Sequence, residues 1–187
     1  MTRPVEYMRA DAARNLKQIV AVAARLLAEQ PAAGMAEVAT AAGVSRATVY
    51  RHFETREALI EAIRAAAFEA AQQALVDCRL DEGTATEALQ RLIVAWLDVT
   101  EYYALAQQGI PKQRDENRRR VLGEPVLALI ARGQTSGEFA SDLEPEWVLR
   151  SFGALLLAGA RAVTDGILTH ENAPDSVFQS LYGGLRA

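Results

Sequence analysis

The chain has 187 residues, half of them apolar, and a formal net charge of −4. That length suits one or two small domains with enough apolar material for a core. Cys78 is the only cysteine, so no internal disulfide can form, and with His52 and His170 as the only histidines there is no Cys/His zinc spacing. The longest apolar run, 152–160, is far short of the roughly 18 residues of a membrane span. The N-terminus lacks a basic flank followed by an apolar stretch, so a soluble cytoplasmic protein with no membrane partner is expected.

The charge is unevenly divided. Residues 1–60 carry eight Arg/Lys against six Asp/Glu, whereas residues 61–187 carry 12 against 18. A weakly basic head on an acidic body points to the head as the part that meets a polyanion.

In chain order, helical spacing recurs and no useful strand alternation is found. Ile19, Val22, Ala23, Leu26 and Leu27 share one stripe, with Asp11 as a candidate cap. Met35, Val38, Ala39 and Ala42 form a second, short stripe, and Val49 and Phe53 a third. Leu59, Ile60, Ile63 and Ala67 begin a fourth that runs to about Val76. The segment 79–87, RLDEGTATE, breaks the pattern and reads as the boundary between head and body. A helix follows over 87–106, and Gly109 and Pro111 mark the next loop. The segment 115–134 is helical with a kink or restart at Gly123 and Pro125, because proline lacks an N–H and clashes with the preceding turn. Pro145 suits the first turn of a helix running to about Leu168. A last amphipathic helix starts near Pro174 and carries Val177, Phe178, Leu181, Tyr182 and Leu185. The expected fold is all-α with about nine helices.

Residues 35–53 carry the distinctive chemistry. Gly43 follows Ala42, where a left-handed residue ends a helix. Val44 is placed to bury its side chain between two helices, and Ser45 to cap the second. Ala39 is small enough to let the helices approach. This is a helix-turn-helix. With Val49 and Phe53 inward, Arg46, Ala47, Tyr50, Arg51 and part of Thr48 face outward. The first turn of such a helix enters the major groove. Arg46 there suits guanine O6 and N7, and Ala47 a thymine methyl. Tyr50, His52 and Arg56 suit phosphates, which position without reading sequence. Read one at a time, Tyr50 fits a half-buried packing residue and His52 a surface histidine.

The segment VATAAGVSRATVYRHFETREALIEAI, 38–63, resembles the DNA-binding head of the tetracycline-repressor (TetR) family of bacterial regulators. The preceding RADAARNLKQIVAVAARLLAE is similar to that family's first helix, and together the two cover about residues 8–65. The resemblance implies a homodimeric, ligand-responsive transcription factor, most often a repressor, that binds double-stranded DNA at a palindromic operator and needs no cofactor. It runs the recognition helix from Ser45 to about His52, with Arg46, Ala47 and Thr48 where the family contacts bases or nearby phosphates, Tyr50 and His52 at phosphate contacts, and Arg56 at a basic position opening the fourth helix. One departure is Gly34, where the family usually has Ser or Thr. Arg3, Arg9 and Arg14 are further candidates for DNA contact. The implied division is a DNA-binding domain over 1–57 and an effector-binding and dimerisation domain over 58–187.

In the body, 148–163 is apolar nearly all round, so it must be covered on more than one side. It is either a core helix or a dimer interface. Gly153, Ala154, Ala158 and Ala160 would allow a close partner. As an interface it would use Phe152, Leu156, Ala160 and Val163, with Phe178, Leu181 and Tyr182 from the last helix. Trp96, Thr100, Tyr103, Gln107, Arg118, Trp147 and Phe152 combine aromatic and polar character suited to an unknown small-molecule effector, although aromatics at helical spacing also make plain core. Arg118, Arg119 and Arg120 fit a solvated face paired with Asp115 and Glu116. An enzyme is the remote alternative: no nucleophile–base set, metal motif or glycine-rich phosphate loop is found. A dimeric DNA-binding protein with no effector is the third reading.

Overall fold

In a computed structural model of the chain, backbone is described for residues 5–103 and 116–185, and side chains for residues 15–100 and 116–185. Among these residues the chain is all-helical, with no strand. Eight α-helices are bounded among the described residues: α1 (Val5–Glu29), α2 (Met35–Ala41), α3 (Arg46–His52), α4 (Arg56–Asp77), α5 (Ala85–Tyr103), α6 (Glu124–Thr135), α7 (Pro145–Thr164) and α8 (Ala173–Leu185). A π turn, Arg119–Gly123, leads directly into α6. The loop expected at Gly109 and Pro111 lies outside the described residues.

The helices enclose two cores. Ile19, Ala23 and Leu27 of α1, Val38 of α2, Val49 of α3, and Leu59 and Ile63 of α4 pack in the first. The second gathers α5 to α8, with Leu92, Val126, Phe139, Phe152 and Phe178 among its members. Cys78 belongs to the second as a buried apolar filler, and its desolvation pushes the thiol pKa up. α4 is common to both bodies: its first half closes the head, and its second packs along α5.

The sequence rules hold where they are local. Gly166 has φ 71° and ends α7, with Ile167 N–H reaching back to Ala162 O at 2.8 Å. That stops α7 four residues before the expected Leu168. α1 begins at Val5, so Asp11 stands inside the helix and does not cap it. At Pro125 the helix neither breaks nor restarts. It widens: Glu124 N–H donates to Arg119 O, five residues back, and the wider turn relieves the clash between a proline ring and the carbonyl below it.

Two close approaches fix the body. A Cβ on Gly159 would stand 2.6 Å from Val177 Cγ2 and 3.2 Å from Leu97 Cδ1, so the bare backbone lets α7 lie against both α5 and α8. The start of α5 is capped twice. Thr84 and Glu87 form a reciprocal capping box, at 2.9 and 3.1 Å. Glu138, from the loop after α6, accepts the Ala85 and Thr86 N–H groups at 3.0 and 2.9 Å. The Thr86 bond is the main cause that pulls the Glu138 pKa down to about 2, against opposing desolvation, with Ala85 and the Ser136 hydroxyl adding to it.

Candidate nucleic-acid interface and body cavity

α2 ends in a hydrogen-bonded stop. Gly43 has φ 66°, its N–H donates to Thr40 O at 3.1 Å, and Val44 N–H donates to Ala39 O at 3.0 Å. Ser45 then caps α3: its Oγ accepts Thr48 N–H at 3.1 Å and lies 2.8 Å from Thr48 Oγ1. Val49 and Phe53 are buried, which fixes the rotation of α3 about its axis. Arg46, Ala47, Tyr50 and Arg51 are therefore exposed, while Thr48 and His52 are half-buried. Tyr50 is 45% exposed, high for an aromatic ring. Among the described residues, the side chains of Arg46, Tyr50 and Arg51 make no hydrogen bond or ion pair, and the His52 ring lies 6.3 Å from that of Phe53. Two cations and a phenol thus project from one short helix held at both ends.

Arg56 differs. Its guanidinium donates to Pro31 O at 2.7 Å and to Ala33 O at 3.5 Å, tying the start of α4 to the turn between α1 and α2. Gly34 precedes α2 in extended backbone and offers no side-chain oxygen; its own N–H donates to Glu37 Oε2 at 3.1 Å, so half of a capping box remains. Arg3 lies outside the described residues, as do the side chains of Arg9 and Arg14.

In the body, a cavity of about 200 Å³ opens between α4, α5, the π turn and α7. Ala67 and Ala71 of α4 give it room, and Trp96, Thr100 and Arg118 supply its larger and polar walls. The Trp96 ring stacks on Phe152 at 5.7 Å and 13°, and its indole N–H is taken by Ala71 O at 3.0 Å. Trp96 therefore presents ring surface rather than a donor, and Phe152 backs it from the core. The small alanines of α4 were not anticipated as cavity walls; a run of alanine on a helix looks the same whether it faces a neighbour or a void. Trp147 is a correction: it is 63% exposed at the start of α7 and does not line the cavity, because Val148 and Phe152 turn the buried face of that helix away from it. Arg119 also departs from expectation, pairing with Glu146 of α7, while Arg120 donates to Asn117. Gln107 and the Tyr103 side chain lie outside the described residues.

A family model described as bacterial regulatory proteins, tetR family, matches residues 19–63, the span of the first core. The HTH-type transcriptional repressor LfrR of Mycolicibacterium smegmatis is 28% identical over 180 residues, covering 92% of this chain and 90% of its own. Residues 19–63 are thus similar to the DNA-binding head of the TetR family. The HTH-type transcriptional regulator NfxB of Pseudomonas aeruginosa is also 28% identical, over 173 residues, covering 90% of this chain and 92% of its own. The crystal structure of LfrR in complex with proflavine superposes with a TM-score of 0.73 at 26% identity, over 93% of this chain and 98% of that one. These matches support a DNA-binding transcriptional regulator.

Most side chains expected at a dimer interface lie in the chain's own core. Phe152, Leu156, Ala160, Phe178 and Leu181 are buried inside their own chain, with Val163 and Tyr182 packed against the same core. Tyr182 stacks on Phe178 at 5.0 Å. Val163 and Tyr182 keep part of their surface exposed. The accessible faces of the same helices carry Trp147, Arg150, Ala154, Ala158 and Arg161 on α7, and Gln179, Ser180 and Gly183 on α8.

Proposed function

We propose that the chain acts as a homodimeric repressor whose α3 reads a palindromic operator, and whose body cavity takes a small molecule that releases it. The observation that carries the DNA reading is the outward face of α3: Arg46, Ala47, Tyr50 and Arg51 exposed on a helix whose rotation Val49 and Phe53 fix. Arg46 and Ala47, in the first turn, read bases. Ser45, Thr48, Tyr50, Arg51 and His52 engage the backbone. Arg56 acts mainly by holding the head together, since carbonyls already occupy its guanidinium.

Release follows from the position of α4. Ala67 and Ala71 wall the cavity, while Leu59 and Ile63 of the same helix close the head core. A ligand that binds better in one setting of α4 shifts the dimer toward that setting, and the two heads lose the spacing of successive major grooves. The complex of LfrR with proflavine supports a planar aromatic ligand for the Trp96 wall. The division is a DNA-binding domain over 1–57 and an effector and dimer domain over 58–187, with α4 as the lever between them. No described helix is long and apolar enough to cross a membrane, and a regulator of this kind works in the cytoplasm.

Dimerisation uses the small-residue faces of α7 and α8, two helices from each chain, with exposed Trp147 as a rim anchor. Fluorescence anisotropy on operator DNA tests the whole reading. Binding with two chains per site, weakened by salt and reversed by an aromatic ligand, is the expected result. Binding insensitive to every such ligand would leave the cavity without an effector role.

A further inference from the structure

A second concavity, of about 460 Å³, lies between the end of α4, the turn that follows it and α6. Leu75, Val76, Leu80 and Leu129 make it apolar, and Val76 is 70% exposed there. Its charged lining is Arg79, Arg132 and Asp81, two cations to one carboxylate. Arg132 is committed to the turn, donating to Leu80 O at 2.7 Å, Gly83 O at 2.9 Å and Asp81 O at 3.4 Å.

Arg79 is the unusual member. It has φ 43°, a left-handed conformation that glycine adopts without strain and a long side chain does not. Its backbone serves the turn: the N–H donates to Val76 O at 3.2 Å, and the carbonyl accepts from Arg91 Nη2 at 3.0 Å. Neither contact needs a side chain. The guanidinium makes a long, exposed pair with Glu82, at 3.4 Å, of a kind that contributes little and yields readily to a better acceptor. The chain thus places a cation beside an apolar groove at a position where backbone geometry alone would favour glycine.

We propose that this groove binds a small organic anion with an apolar body, its carboxylate or sulfonate on Arg79 and its body against Leu75, Leu80 and Leu129. Arg79, whose exposed pair with Glu82 is long and weak, selects an anion over a cation of the same shape. An occupant bridges α6 and the far end of α4, and so braces the lever whose other end closes the DNA-binding head. This site is separate from the cavity at Trp96 and stands whether or not that cavity takes an effector.

Calorimetric titration of the full chain with decanoate, beside decyltrimethylammonium, tests the proposal. Decanoate binds saturably at one site per chain, and the cation at least about tenfold more weakly, about the worth of one charge-assisted hydrogen bond. Arg79→Gly retains the turn and melts no lower than the parent, yet binds decanoate about tenfold more weakly. Ala128→Phe, at an exposed position of α6, fills the groove and removes binding. No decanoate binding, equal binding of the cation, or unchanged binding by Arg79→Gly would each overturn the proposal. Leu157 of α7 lines the cavity at Trp96, so binding lost in Leu157→Phe but kept in Ala128→Phe would put the anion there and would also overturn the proposal. Should Ala128→Phe fail to fold, Arg79→Gly decides alone.

Discussion

Arg46 and Tyr50 leave α3 on its solvent side, one turn apart, and their chemistry separates their roles. A guanidinium at the first turn can make a bidentate pair with one guanine, whereas a phenol further along reaches a phosphate oxygen. Arg46→Ala is expected to weaken specific binding by about 1–3 kcal/mol and to relax preference at one base position. Tyr50→Phe lowers affinity by a similar factor on every sequence. Anisotropy titrations against a panel of single-base operator variants separate the two outcomes, and a base-selective loss in Tyr50→Phe would contradict the phosphate role. Gly43 is a different kind of residue. A Cβ there would touch nothing within 4 Å, so its requirement is the backbone dihedral alone. Gly43→Ala should cost about 1 kcal/mol in chemical denaturation, the strain of a left-handed alanine. These positions were legible in the sequence because each depends on neighbours within a few residues: Gly43 on the end of α2, Ser45 on Thr48, Val49 on Phe53. Arg56 was not, because its acceptors, the carbonyls of Pro31 and Ala33, belong to a turn on the far side of α2.

α5 shows what a single element draws from distant sequence. Thr84 and Glu87 announce its start locally, but the Glu138 carboxylate on the Ala85 and Thr86 N–H groups comes from beyond α6. No spacing rule links residues so far apart. The Glu138 pKa is lowered from its ordinary 4.5 to about 2. The bonds therefore contribute fully above the unfolded value and are lost as pH falls through the folded one. Glu138→Gln is expected to lose about 1 kcal/mol at neutral pH, the scale of a helix cap. It should also flatten the fall in melting temperature as the pH drops from about 5 to about 2. Melting curves across that range check it; parallel curves for parent and variant would contradict the assigned bonds. The π turn was half legible: Gly123 and Pro125 mark a disturbance, but whether a helix breaks or widens depends on what α7 and α4 pack against it.

For the whole molecule, the all-helical class follows from apolar spacing and is present among the described residues. The choice of face on α7 does not follow. A helix apolar nearly all round gives no sign of which side meets its own core and which a partner, and the large side chains went inward. The exposed remainder is small: Ala154, Ala158 and Gly153, flanked by Trp147 and Arg161. Close approach at Gly153, Ala154 and Ala158 leaves no room for a carboxylate between Arg150 and Arg161 at its rim. Ala158→Glu is therefore expected to shift the chain toward monomer in sedimentation velocity while its helical content stays unchanged, and an unaltered dimer would move the interface elsewhere.

The measurement that bears most directly on the account is selection of sites from a random double-stranded DNA pool by the intact chain, read by sequencing and repeated with Arg46→Ala. Enrichment of an inverted repeat is expected, with half-site centres set by the dimer at about 34–36 Å or a related spacing. In the variant, preference is lost at the same position of both half-sites. Enrichment of a single unrepeated half-site would contradict the dimer, and a variant that selects the same bases as the parent would contradict the reading of α3.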